Sequence, residues 1–207
     1  MSEPRRVHVE RDLADGAAYP LLNRLVVPRP IAWVSSRSAA GVDNLAPHSF
    51  FTVACSDPAV VSFTSVGHKD TLRNVRETGE FVVNLAPAGL VEQINATSAP
   101  YPPELSEFDE VGLTRLASQI VVPPSVAESP AAIECVLERT VEFGEAPRGS
   151  VVCFGRVVAI TVEARVYGDR GPDIGLLDPI SRLGGIEWGR VGEVSARQRP
   201  GYPPAEQ

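Results

Sequence analysis

The chain has 207 residues, 43% of them apolar and 22% charged, which is enough for one domain with a sizeable core and excludes disorder over most of its length. A formal charge of −7 excludes a general attraction to nucleic acid or anionic lipid, so any anion site has to be built locally. No stretch approaches the roughly 20 apolar residues of a membrane span, and the start, MSEPRRVHVERDLADG, has no signal-like apolar segment, so the expectation is a cytoplasmic protein with no nucleic-acid or membrane partner.

The first strand is expected over 30–36, followed by a Gly/Asp/Asn loop and a second extended run over 45–54, the two pairing as antiparallel neighbours. A third strand follows over 59–65. Residues 70–78 read as a two-turn helix, with Asp70 or Thr71 as N-cap, Leu72 and Val75 on one face, and Gly79 as the stop. Strand returns over 80–86, a short helix fits 90–98, and 101–112 is a Pro-rich acidic loop. Apolar and polar residues then alternate along 131–146 and 150–166, two long strands joined through Pro147, Arg148 and Gly149. The ends, before Val7 and after Arg197, are Pro-rich and expected to be loose. Cys55, Cys135 and Cys153 lack CxxC spacing or a flanking histidine cluster, which argues against a disulfide framework or zinc site and leaves all three as small core residues. Helices this few and short do not wind a parallel sheet. A mainly β chain with short helices is expected, an antiparallel Greek-key barrel forming a single domain over 1–207.

Lys69 is the only lysine in the chain. It stands between a strand and a helix N-terminus, where free backbone N–H groups and the positive end of the helix dipole suit a phosphate. A flexible ammonium adds a mobile charge there, and the Thr71 hydroxyl offers one more donor. A solvated surface lysine beside a helix start is the ordinary alternative.

Five blocks, PRPIAWVSSR (28–37), NLAPHSFF (44–51), SDPAVVSF (56–63), KDTLRNVRETGEFVVNL (69–85) and SRLGGIEWGRVGE (181–193), resemble in order and spacing the flavin reductase-like family. Its members have the FMN-binding split β-barrel fold, and the resemblance, which covers a domain core at about 19–193, lies in the branch close to flavoredoxin and the flavin reductase component of nitrilotriacetate monooxygenase. It implies FMN as cofactor, with Ser35, Ser36 and Arg37 near the phosphate and ribityl chain. Asn44, Leu45, Ala46 and Ser49 would meet the isoalloxazine edge, and Lys69, Asp70 and Thr71 would form the phosphate loop, Asp70 acting as a cap or as a partner that orients the lysine. His48 stands where relatives often carry an aromatic residue, and is either a ring contact or a satisfied strand histidine. Trp33 is either core or cofactor contact. Gly184 and Gly185 allow close backbone approach, and Arg182 either neutralises cofactor charge or serves an interface ion pair. The resemblance also implies a homodimer, in agreement with long strands around 131–166 whose edges need covering.

The implied chemistry is hydride transfer from NAD(P)H to FMN, for which the flavin is the reagent and the protein supplies placement. No HExxH, GxSxG, P-loop or GxGxxG pattern competes with that reading, and His8, His48 and His68 form no nucleophile or metal pattern. Three functions remain open from sequence: an NAD(P)H-dependent flavin reductase feeding a flavin-dependent monooxygenase or other redox partner, an electron-transfer protein of flavoredoxin type, and a non-enzymatic flavin binder.

Overall fold

The computed structural model describes residues 6–145 and 149–201. Seven strands carry its main sheet: β1 (Ala32–Arg37), β2 (Asp43–His48), β3 (Phe51–Ser56), β4 (Ala59–Val66), β5 (Glu80–Leu85), β6 (Ala131–Phe143) and β7 (Ser150–Val162). All neighbours are antiparallel, in the spatial order β2-β1-β5-β6-β7-β4-β3. The outermost strands, β2 and β3, are consecutive in the chain. The sheet therefore curls until β2 meets β4 at one corner, where the Thr64 amide donates to the Phe50 carbonyl at 2.9 Å. This is the mostly β, split-barrel architecture.

The extended run expected over 45–54 is thus two strands broken at Ser49–Phe50, because its halves belong to opposite edges of the sheet and pair with β1 and β4 respectively. The strands of 131–166 are not edges either. β6 lies between β5 and β7, and β7 between β6 and β4, so the edge is instead β3, exposed over Thr52–Ser56. Part of the expected turn between the long strands, Pro147–Arg148, lies outside the described residues, as do the chain ends before Arg6 and after Gly201.

Side-chain alternation sends the strand residues to two cores. Ala32 and Val34 of β1, Phe63 of β4, Phe81 and Val83 of β5, Cys135 of β6 and Cys153 of β7 fill the barrel. Trp33 points the other way, into a second core with Leu45, Ile94, Phe108, Val126 and Ile180. β1 is therefore buried on both faces, which is why it reads as a continuous apolar run.

Among the described residues five α-helices serve this frame: α1 (Ala18–Leu25), α2 (Asp70–Thr78), α3 (Val91–Ala96), α4 (Glu107–Glu110) and α5 (Ile174–Leu177). The sequence reading identified α2 and α3 but not α1, α4 or α5. Leu72 and Val75 of α2 enter the barrel core, fully or almost fully buried, and Gly79 closes the helix in the left-handed conformation at φ 75°. The helix spans the expected 70–78, but Lys69 occupies the extended N-cap position, and neither Asp70 nor Thr71 caps it. A small sheet pairs Arg29–Pro30 with Ile180–Arg182, which in turn pairs with Trp188–Arg190. It brings the C-terminal block beside the start of the barrel.

Cys135 and Cys153 are buried as expected, but Cys55 is exposed because it lies on the edge strand β3. Burial pushes the Cys135 thiol up to about 12 and the Cys153 thiol up to about 11. A water-soluble disulfide reagent at pH 8 should therefore label one thiol in the native protein and three after unfolding. Fast labelling of two or more native thiols would contradict the burial described here.

Gly155 of β7 lies beneath the Phe81 ring, where an added Cβ would stand 2.2 Å from Phe81 Cζ and 2.9 Å from Cys135 Cβ. Gly155→Ala should cost about 1–3 kcal/mol by overpacking, seen as a lower urea midpoint at unchanged slope.

Candidate functional site

β2, the first turn of α2, the segment after α3 and the start of α4 enclose a cavity of about 290 Å³. By the period of two, Asn44, Ala46 and His48 share one face of β2, and all three line this cavity. Lys69, Asp70 and Thr71 form a second wall, Thr97 through Tyr101 a third, and Glu107 closes the base.

Glu107 is 5% exposed and holds the base together. Its Oε1 accepts from Asn44 Nδ2 at 2.7 Å and its Oε2 from the Leu45 amide at 2.9 Å. Desolvation raises the Glu107 pKa, and these hydrogen bonds to the ionised form oppose the rise. The other end of the Asn44 amide accepts from Thr71 Oγ1 at 2.8 Å and from Ser36 Oγ at 3.4 Å. Asn74 in turn donates to Ser36 Oγ at 3.3 Å. The expected Thr71 donor is thus directed inward, to Asn44, and Thr71 couples α2 to β2.

Lys69 is exposed and has no ion pair among the described residues. Asp70 neither caps the helix nor orients the lysine; its carboxylate meets Arg73 Nη1 at 2.6 Å, three residues on. The first turn of α2 therefore lines the cavity with no side chain capping it and one mobile cation beside it. These are the donors a phosphate requires.

His48 is 7% exposed, with its ring 4.8 Å from Phe63. Its Nδ1 lies 3.3 Å from the Thr64 carbonyl, an acceptor, so the proton sits on Nδ1 and Nε2 is a lone pair. That Nε2 is buried without a partner among the described residues. Desolvation is the main cause that lowers the His48 pKa from 6.5 to about 4.

The remaining expected residues lie elsewhere. Ser35 is fully buried, donating to the Pro124 carbonyl at 2.5 Å, and Ser36 is buried under Asn44. Arg37 binds Asp43 at 2.7 Å, and Asp43 also receives Arg115 at 2.9 Å. Leu45 sends its side chain into the second core and its amide to Glu107. These four support the cavity from behind rather than line it. Ser49 and Arg182 line an adjoining pocket of about 200 Å³ with Ile31, Asn95 and Trp188, which shares Pro47 and Ser98 with the cavity. Trp33 is core, and its Nε1 donates to Thr97 Oγ1 at 2.9 Å, so it holds the third wall in place.

Sequence reasoning did not find Glu107, His68 or the Thr97–Tyr101 wall. The one available signal was the helix-start composition of Ser106-Glu107-Phe108-Asp109 inside what read as loop.

The folded pKa of His48 lies below that of a free histidine, so the folded state binds fewer protons between pH 6.5 and about 4. Stability present above the unfolded value is lost as pH falls through that window. A gap of about 2.5 in pKa corresponds to about 3 kcal/mol. Urea denaturation at pH 7 and pH 4.5 should show a smaller acid loss in His48→Phe than in the wild type. Equal losses would mean that His48 titrates like a free imidazole.

Residues 23–177 match the family model described as flavin reductase like domain. A protein of Halalkalibacterium halodurans is 42% identical over 190 residues, covering 88% of this chain and 90% of its own. The crystal structure of nitrilotriacetate monooxygenase component B from Bacillus cereus is 33% identical and superposes with a TM-score of 0.89, over 95% of this chain and 100% of that one. The 2-nitrobenzoate 2-nitroreductase of Pseudomonas fluorescens is 28% identical with a TM-score of 0.86, over 98% and 100%. On this fold, this cavity and these relationships, the chain belongs to the flavin reductase-like family.

Proposed function

We propose that this protein binds FMN in the cavity between β2 and α2 and passes hydride from NAD(P)H to it. The observation that carries the reading is the uncapped N-terminus of α2, with a Lys69 that has no ion pair among the described residues, opening on a cavity whose β2 face is small and uncharged at Ala46 and Pro47. Phosphate fits the α2 end, held by backbone N–H groups and the Lys69 ammonium. The Ala46–Pro47 face leaves room for a flat ring, and His48 Nε2 is an acceptor suited to the one N–H on a flavin's pyrimidine edge. Ser35, Ser36, Arg37 and Leu45 act from behind, by holding Asn44, Asp43 and Glu107 in place.

FMN, when bound, would supply a two-electron acceptor for the hydride of a dihydronicotinamide, with solvent able to supply the accompanying proton. No side chain has to donate a proton for that step. The chain's tasks are to hold the phosphate and to keep a face of the ring accessible. The resemblance to a monooxygenase component B supports a role in supplying reduced flavin to a separate oxygenase. The exposed edge strand β3, with Val53 69% exposed, supports a homodimer that covers it. Among the described residues no helix is long and apolar enough to cross a membrane, and action in the cytoplasm is part of the proposal.

Removing Lys69 takes away one charge-assisted phosphate contact, worth about 1.5–3 kcal/mol, or roughly ten- to hundredfold in dissociation constant. Lys69→Ala should weaken FMN by that factor in an equilibrium titration while leaving the melting temperature of the FMN-free protein unchanged. Riboflavin, which lacks the phosphate, should bind the wild type more weakly than FMN by a similar or larger factor. Anaerobic mixing of the FMN-loaded protein with NADH or NADPH should bleach the flavin absorbance. Tight riboflavin binding would overturn the phosphate site, and absence of bleaching with either nucleotide would overturn the hydride step.

A further inference from the structure

The cavity does not end at Pro47. It continues into the pocket of Ser49, Arg182 and Trp188, and past Ser49 and Arg182 into a third pocket of about 250 Å³. That third pocket is lined by Arg24 on α1 together with Arg29 and Arg182, and by no carboxylate among the described residues. Antiparallel pairing places Arg29 directly opposite Arg182. In a chain of formal charge −7, three guanidinium groups lining one pocket that no described carboxylate lines are a local excess of positive charge.

Arg29 and Arg182 are held in place by neutral groups. Arg29, 6% exposed, donates through Nη1 to the Asn23 and Val26 carbonyls at 2.5 and 3.1 Å, and through Nη2 to the Leu183 carbonyl at 2.8 Å. Those contacts cap the C-terminal end of α1 but leave the buried charge without a counter-ion, and Nε has no partner among the described residues. Burial and the neighbouring Arg182 both act to lower the Arg29 pKa. Arg182 stacks over Trp188 at 4.6 Å and donates to the Gly185 carbonyl at 2.6 Å. Arg24 lies across the loop at Gly184, where an added Cβ would come within 2.7 Å of Arg24 Cγ. Its Nη1 forms a long ion pair of 3.9 Å with Glu187, which is 58% exposed and does not line the pocket.

We propose that this end of the groove is a second anion subsite, which receives the diphosphate of the pyridine nucleotide. The inference rests on the reading of the α2 end as the flavin phosphate site. FMN carries a single phosphate, and α2 with Lys69 takes it, so a second cationic end has no use for the flavin. A dihydronicotinamide that meets the flavin in the middle of the groove must lead its diphosphate away from Lys69, and the groove runs from there to the arginines. Guanidinium forks bind phosphoryl oxygens in pairs, and the side chains of Tyr19, Asn23 and Ser49 line the same pocket with further donors.

ADP, which has the diphosphate but no nicotinamide, is the probe. Calorimetry on the FMN-loaded protein should show ADP binding, accompanied by a change in tryptophan fluorescence because Arg182 covers the Trp188 ring. Arg24→Ala, at an exposed position, should weaken ADP about tenfold or more, with Arg24→Lys intermediate. Lys69→Ala should weaken FMN without weakening ADP. The rate of flavin reduction by NADH relative to 1-benzyl-1,4-dihydronicotinamide, a phosphate-free donor, should fall by a similar factor in Arg24→Ala. The subsite is overturned if ADP does not bind, or if Arg24→Ala leaves ADP binding and the donor ratio unchanged. It is equally overturned if the variant dissociates the oligomer in sedimentation without changing ADP affinity, which would make Arg24 an interface residue. Failure of FMN to bind would count against the flavin reading, whereas ADP binding reports on the arginine pocket directly.

Discussion

The side-chain amide of Asn44 joins parts of the chain that are far apart in sequence. Its carbonyl accepts from Thr71 on α2 and Ser36 on β1, and its amino group donates to Glu107 on α4. All four side chains are at most 8% exposed, so each hydrogen bond stands in for one lost to water, and removal of a partner leaves a buried polar group unsatisfied. This one residue thereby ties the N-terminus of α2 and the start of α4 to β2. Glu107 completes the arrangement by also accepting the Leu45 amide, so that the carboxylate grips β2 at two successive residues.

Electrostatics then divides the molecule. Several arginines are committed to carboxylates in fixed pairs, as Arg37 and Arg115 are to Asp43, and Arg190 is to Asp178. Such forks serve structure because they are planar and bidentate. Four other cations gather along one groove. At its α2 end stands the single lysine, whose flexible ammonium can follow a ligand, and at its other end stand Arg24, Arg29 and Arg182. An acidic protein that must hold an anion has to keep carboxylates away from that path, and apart from Asp70, which is neutralised by Arg73, and Glu107, which is buried in hydrogen bonds, the lining of the groove does so.

The two cores explain why so short a chain can build such a groove. Trp33 and Val34, adjacent on β1, serve opposite sides: Val34 packs inside the barrel, while Trp33 packs outside it and reaches Thr97 with its indole N–H. The outer layer, with α3, α4 and the segment between them, is thereby fastened to the strand that carries the barrel. The cavity forms where that layer fails to close over β2.

Periodicity and local chemistry were enough for the sequence to determine the strands of 59–65, 80–86 and the two long runs, the helix of 70–78 with its Gly79 stop, and the cationic junction at Lys69. These depend on residues within a few positions of each other, and the same local blocks, read in order, carried the family resemblance. What only the tertiary structure decided depends on contacts across long separations. The break at Ser49–Phe50 exists because the two halves of one extended run pair with different strands. The exposure of Cys55 follows from the edge position of β3, and the central place of the long strands from an order of pairing that no local pattern specifies. Ser35, Ser36, Arg37 and Leu45 were singled out beside the cofactor, whereas folding turns them to Pro124, Asn44, Asp43 and the second core. Glu107, 63 residues from Asn44, reads as one more acid in an acidic loop until the chain brings the two within 2.7 Å. A hydrogen bond has no signature in sequence when its partners lie that far apart, because its geometry is set by the packing of both cores.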